Sequence, residues 1–239
     1  MSQRLGVATF LAALATVAVA VEKSGLVLQR ENAEALHVPF IDPKERRRST
    51  QPRKVTIFND LVLADDAGDE AAEWFSAVLG RRSRLVRTGE SYTRKVPSEE
   101  KAQQHRPHYS SEISFTDAFP TLLTSEESLA DLNNRLATPL PMDRFRPNIV
   151  LRGCAPYEEN TRNVVRVGDL LFGCANTCLR CVITSTNQQT GVRAGVEPLR
   201  TLATYRLSQD GRGVMFGQYL IHSGTGQLRV GDHITAERL

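Results

Sequence analysis

From Ile149 to its carboxyl end the chain falls into short apolar runs rich in β-branched residues, each closed by a turn, and few architectures accept that pattern. Ile149-Val150-Leu151 is followed by Val164 to Val167 and Leu170 to Phe172 around a Gly168-Asp169 turn. Val182-Ile183-Thr184, Met215 to Ile221 and a last strand after Gly231-Asp232 complete the series. β-Branched and aromatic residues suit a pleated, half-buried surface, and glycine pairs of this kind close hairpins. Only Leu199 to Tyr205 reads as helical. Strands this short and this numerous predict a barrel.

The preceding half mixes helix and strand. Thr124-Ser125-Glu126-Glu127 has the spacing of a capping box and opens a helix with Leu129, Leu132 and Leu136 on one face, stopped by Pro139 and Pro141. An earlier helix is predicted over Asp69 to Leu79, where Ala71, Ala72, Trp74, Phe75, Val78 and Leu79 share a face and Gly80 ends it. Trp74 is assigned to the core. Leu26-Val27-Leu28 reads as a strand, and Val55, Ile57 and Leu61-Val62-Leu63 flank Asn59-Asp60 as a hairpin. Asp42 to Lys54, with proline at both shoulders and Arg46, Arg47 and Arg48 between, reads as a surface loop. Arg87 to Ser114, polar and aperiodic, reads as a long connection.

The apolar stretch Gly6 to Val21 is shorter than the roughly 20 residues a bilayer-crossing helix needs. Arg4 before it and Ala18-Val19-Ala20 near its end fit a secretory signal, while Val17, Val19 and Val21 equally fit a buried strand. Membrane association is expected only through this segment. The cysteine usage tilts against secretion.

Composition narrows the classes further. At 239 residues the chain makes one large or two small domains. Hydrophobic content of 41%, charged content of 24% and a mean hydropathy of -0.30 exclude disordered, collagenous and multi-span membrane proteins. With 30 Lys and Arg against 27 Asp and Glu the net charge is +3, so nucleic acid is not an expected partner.

The densest chemistry is Cys174-Ala-Asn-Thr-Cys178-Leu-Arg180-Cys181, with Cys154 upstream. Thiolates favour soft or borderline metals, and a cation stands beside the last of these cysteines. Four cysteines can close a structural zinc site, although zinc prefers two Cys-x-x-Cys knuckles and only one is present. The spacing also occurs in radical enzymes with a three-cysteine iron-sulfur cluster, but too little chain follows Cys181 to complete their barrel. The five histidines show no ligand spacing and are assigned no role.

The company this cluster keeps is more specific. Phe115-Thr-Asp117-Ala-Phe-Pro120, Thr124-Ser125-Glu-Glu-Ser128-Leu-Ala-Asp-Leu132-Asn133, Arg144-Phe-Arg146-Pro147-Asn148, Arg180-Cys181 with Thr190-Gly191, Phe216-Gly217-Gln218 and Val230-Gly231-Asp232 follow one another in order. Together they resemble the MOSC family, the domain shared by molybdenum-cofactor sulfurases and amidoxime-reducing molybdenum-pterin proteins. The resemblance implies a mainly β, α+β fold: a MOSC β-barrel with peripheral helices over residues 89–239, preceded by a smaller, incomplete β-rich module over residues 1–88. Asp65 to Phe75, Gly80 and Arg84 to Arg87 resemble the family's amino-terminal companion domain. A Lys-Ser pair and an Arg that hold the cofactor phosphate in that domain are not matched, Gln3-Arg4 resembling only its tail, so the chain is expected to start inside it.

Carried over residue by residue, the resemblance makes Cys181 the catalytic thiolate that coordinates molybdenum in a molybdenum-molybdopterin cofactor. It places Arg146 and Asn148 on the pterin and Asp117 and Ser125 at further pterin contacts, a turn aspartate and a helix cap being the plain alternatives for the last two. Arg180, read from its neighbour Cys181, is expected to be a charge of the site, an ordinary surface arginine being the plain alternative. The implied activity is reduction of small N-hydroxylated compounds by oxygen-atom transfer, with electrons from an external donor such as cytochrome b5 and its reductase. Arg81, Arg82 and Arg84 are candidates for docking that donor. A non-catalytic carrier of the cofactor or its sulfur is the alternative, a four-cysteine zinc module a third, and pyridoxal phosphate binding is a family-level association.

Overall fold

The computed structural model describes residues 13–42, 52–96, 112–193 and 195–237. The chain separates into two compact units, Met1–Arg94 with Asn187–Arg193 and Lys95–Thr186 with Ala194–Leu239. Among the described residues no helix is long and apolar enough to cross a membrane.

The described residues of the first unit include two antiparallel three-stranded sheets and an 11-residue helix. Strands β1 (Ala18–Val21), β2 (Gly25–Gln29) and β3 (Leu36–Pro39) lie in that order, as do β4 (Pro52–Ile57), β5 (Asp60–Asp66) and β6 (Val86–Arg87). Helix α1 (Asp69–Leu79) packs Ala71 and Phe75 on Leu28, Leu36 and Val38, with Trp74 partly buried against them. Its predicted stop is the observed one, Gly80 at φ 65°, the left-handed conformation that glycine adopts without strain. The entrance to α1 is pinned by Asp66. Its carboxylate accepts Arg84 Nε at 2.6 Å and the Gly68 amide at 2.8 Å, and it also pairs with Arg53. Arg84 further reaches Asp69 at 2.8 Å, so of the three docking candidates this one is engaged inside its own unit.

Three local expectations change here. The buried-strand reading of Val17, Val19 and Val21 gives a strand, but Val19 is 57% and Val21 76% exposed. Among the described residues β1 is an edge strand paired only with β2, and its four residues are exposed. The loop predicted through Lys54 ends earlier, because β4 starts at Pro52, the strand-initial position that tolerates a missing N–H; residues 43–51 lie outside the described residues. The hairpin turns on Phe58-Asn59, one residue before the expected pair, with Ile57 opposite Asp60.

The second unit carries the predicted barrel-like sheet. It contains β7 (Thr121–Ser125), α2 (Glu126–Asn133), β8 (Ile149–Leu151), β9 (Val164–Val167), β10 (Leu170–Arg180), α3 (Leu199–Ala203), β11 (Val214–Ser223) and β12 (Ile234–Glu237). Six strands form one nearly closed sheet in the order β12-β9-β10-β11-β7-β8, antiparallel throughout except for the parallel β7–β8 pair. Leu123, Val165, Val167, Phe172 and Leu220 fill one cluster; Leu132, Phe145, Leu202, Val214 and Phe216 fill another under α2 and α3. Burial of apolar groups of this size contributes roughly 1.5–3 kcal/mol each.

Two sequence expectations are corrected in this unit. Val182 to Thr184 is a 3-10 turn, Val182–Ser185, rather than a strand. The Thr184 and Ser185 hydroxyls donate to the Cys181 and Val182 carbonyls at 3.0 and 2.6 Å, local bonds that compete with a ladder. The cap of α2 is Ser125, whose Oγ accepts from the Ser128 amide at 3.1 Å, not Thr124, which lies buried in β7.

Candidate functional site

Strand β10 carries two of the clustered thiols and ends immediately before the third. Cys174 and Cys178 are buried along it, whereas Cys181 follows its last residue and is exposed. The register breaks between Cys174 and Thr177 and again between Thr177 and Leu179, irregularities that re-aim side chains along a strand. Burial pushes the Cys174 thiol up to about 12, so it stays protonated at neutral pH. Cys154, half-buried in a loop after β8, is also raised, chiefly by burial. Among the described residues no three His, Cys, Asp or Glu side chains gather to hold a metal ion. The four thiols therefore do not form the closed set a structural zinc site uses.

Arg180 organises the end of β10. Its Nη1 donates to Cys178 Sγ at 2.9 Å and its Nη2 to the Phe145 carbonyl at 2.7 Å, and its guanidinium carbon lies 5.6 Å from the Phe145 ring centroid. Phe145 stacks on Phe216 with centroids 4.0 Å apart. The next residue on β11, Gly217, has φ 83°, and a Cβ there would meet the Leu123 carbonyl at 2.8 Å, which accounts for the Phe-Gly pair. Phe145 closes a short 3-10 helix, Met142–Phe145, and Arg146 follows at φ 53° with its amide bonded to the Asp143 carbonyl at 3.1 Å. Left-handed backbone at a non-glycine residue is uncommon and persists where the surroundings fix it. Here the fixing comes from Phe145, held by the Phe216 stack and the Arg180 fork.

The other expected site residues fall on both sides of this arrangement. Asn148 is zipped to β7: its Oδ1 accepts the Leu122 amide at 2.8 Å and its own amide donates to the Leu122 carbonyl at 2.9 Å. Asp117 is exposed and acts on Tyr219, whose phenol is pushed well above its ordinary range by burial first, then by Cys178 and Asp117. Ser125 is fully buried. Its hydroxyl caps α2 and reaches Ser128 Oγ at 2.7 Å and Glu159 at 3.1 Å. The structure thus gathers Arg180, Cys181, the turn that presents Arg146, and Asp117 through Tyr219 and Cys178; Ser125 has a helix-capping role instead.

Sequence reasoning placed Cys178 in the cysteine cluster without giving it a part at the Cys181 site, and it did not single out Tyr219. The signal for Cys178 was its two-residue offset from Arg180, which puts both on one face of a strand. Tyr219 carried no local signal, because only the pairing of β11 with β10 brings it beside Cys178.

Residues 110–235 match the family model described as the MOSC domain. The chain belongs to the MOSC domain family. The chain is similar to mitochondrial amidoxime reducing component 2 of Rattus norvegicus, 33% identical over 233 residues, covering 92% of this chain and 66% of the relative. Mitochondrial amidoxime-reducing component 1 of Mus musculus is 32% identical, covering 92% and 65%. Component 1 of Homo sapiens is 34% identical over 175 residues, covering 71% and 51%. The chain spans about two thirds of the length of the first two relatives. Every residue of the Arg180 arrangement, from Asp117 to Tyr219, lies inside the matched MOSC segment.

Proposed function

We propose that this MOSC chain binds the molybdenum-molybdopterin cofactor through Cys181 and reduces N-hydroxylated compounds. The observation that carries the reading is the exposed Cys181 thiol at the end of β10, next to an Arg180 whose fork braces the turn presenting Arg146. The donor set fits such a group. A sulfur donor open to solvent suits molybdenum carried by a sulfur-donating pterin, and an exposed guanidinium suits an anionic pterin phosphate or heterocycle. No lysine stands among the gathered residues, so they offer no amine to anchor pyridoxal phosphate, and no step is assigned to that group.

When bound, the molybdenum cofactor supplies two-electron removal of the nitrogen-bound oxygen, so that R–NH–OH, two electrons and two protons give R–NH2 and water. The protein's part is positional. Cys181 holds the metal, Arg146 and the remaining donors of Asn148 orient the pterin, and Arg180 keeps the two sequence-distant segments in register. Asp117, exposed and electrostatically coupled to Tyr219, is the proposed contact for a substrate or pterin polar group. The electrons come from a separate donor of the cytochrome b5 type with its reductase.

The test is turnover of benzamidoxime by cofactor-loaded protein with reduced nicotinamide, with and without cytochrome b5 and its reductase. Benzamidine formed only when the donor pair is present supports the reading. Stoichiometric molybdenum with no turnover under any donor would favour the carrier alternative.

A further inference from the structure

Beyond the Cys181 site, the second unit contains a pocket of about 200 Å³ between the loop after β8 and strands β9 and β12. One wall is apolar: Leu123, Leu151, Val165 and Ile234. Another is Glu159, a carboxylate only 1% exposed, from the short 3-10 helix Glu158–Thr161. Cys154 lies at the same pocket, beside Ser125 and Glu127.

Both arginines of the lining are already engaged by carboxylates other than Glu159. Arg152 is engaged by Glu126 at 2.8 and 3.1 Å, and Arg162 is paired with Glu158. Among the described residues the hydrogen-bond partners of the Glu159 carboxylate are neutral: Ser128 Oγ at 2.8 Å and Ser125 Oγ at 3.1 Å, which also bond to one another at 2.7 Å. Two hydroxyls satisfy part of a carboxylate's acceptor capacity and none of its charge. An ionised group taken out of water without a counter-charge is costly, and a cation placed beside it recovers that cost in a site of low dielectric. An apolar cavity of about 150 Å³ accommodates a benzene ring. The observed volume therefore admits a small ring with a short polar head.

We propose that this pocket binds a small organic ammonium ion, its apolar body against Leu151, Val165 and Ile234 and its cationic head on Glu159. The site is separate from the molybdenum reading, and nothing in it depends on Cys181.

The half-buried Cys154 thiol reports on occupancy. Purified protein is alkylated with iodoacetamide at mildly alkaline pH in the presence of benzylammonium or the neutral isostere benzyl alcohol, and modification of each cysteine is followed by peptide mass spectrometry. Benzylammonium should slow Cys154 alkylation roughly fivefold at about four times its dissociation constant, following 1 + [L]/Kd. Benzyl alcohol should not, and Cys181 should be unaffected by either. Glu159→Gln should abolish the protection. Should that variant fail to fold, Leu151→Phe fills the pocket with the carboxylate retained and should abolish it equally. No protection of the wild-type protein, equal protection by the alcohol, or protection that survives either folded variant would overturn the proposal.

Discussion

Arg180 donates to the Phe145 carbonyl oxygen at 2.7 Å, joining the residue before Cys181 to the residue before Arg146. The two residues are 35 positions apart, yet the contact sets how the thiol-bearing strand end and the left-handed turn face one another. The second arm of the same guanidinium, on Cys178 at 2.9 Å, fixes the plane of the fork.

Removing that fork should cost stability as well as order. Hydrogen bonds from a charged group contribute about 1.5–3 kcal/mol, so Arg180→Ala is expected to lower the unfolding free energy by about 1–3 kcal/mol. Arg180→Lys should recover little, since a single ammonium cannot reach two acceptors as a planar fork does. Chemical denaturation checks both, and an Arg180→Ala protein as stable as the parent would remove the brace from the account.

The cap of α2 gives a second comparison. Ser125→Ala loses both the cap and a donor to Glu159 and should destabilise by roughly 1–2 kcal/mol. Thr124→Val keeps its shape in β7 and loses a bond to Met142 Sδ of 3.4 Å, so its cost should be clearly smaller. Equal losses in the two variants would show that the capping role is shared.

That pair also marks what the sequence could and could not reveal. Asp69 to Leu79 and its Gly80 stop were legible because periodicity and capping are local, as were the apolar runs that became β8, β9 and β11. The capping register slipped by one because Thr124 and Ser125 are chemically equivalent, and only the pairing of Leu123 and Thr124 with β8 assigns Thr124 to a strand. Val182 to Thr184 has strand composition, but the hydroxyls of Thr184 and Ser185 win it for a turn. At the site, Cys181 and Arg146 stood out through motif company. The Cys178, Tyr219 and Phe145 contributions arise from packing between β10, β11 and a 3-10 helix, which no linear spacing encodes.

Acid stability should carry the signature of Asp66. The Arg84 fork, with the Gly68 amide and Arg53, holds its carboxyl down at about 2. A carboxylate lowered in the folded state contributes stability that is fully present above its unfolded value near 3.8 and is lost as pH falls through about 2. Asp66→Asn should therefore destabilise the protein at neutral pH and flatten the dependence of stability on pH between about 4 and 2. An unchanged acid limb in that variant would mean that other carboxylates govern it.

Thiol reactivity should rank the cysteines by environment. Cys181 is exposed and should be alkylated first, whereas Cys174, buried and pushed up to about 12, should be last under native conditions. Site-resolved labelling with the order reversed would contradict the placement of the two thiols.

The most direct measurement is molybdenum per chain in protein loaded with the cofactor, compared across the parent, Cys181→Ser and Cys174→Ser. A serine oxygen is a harder donor with a far higher pKa than a thiol, so Cys181→Ser should lose most of the molybdenum and all benzamidoxime reduction, while Cys174→Ser should keep both. Full molybdenum and undiminished turnover in Cys181→Ser would contradict the central assignment.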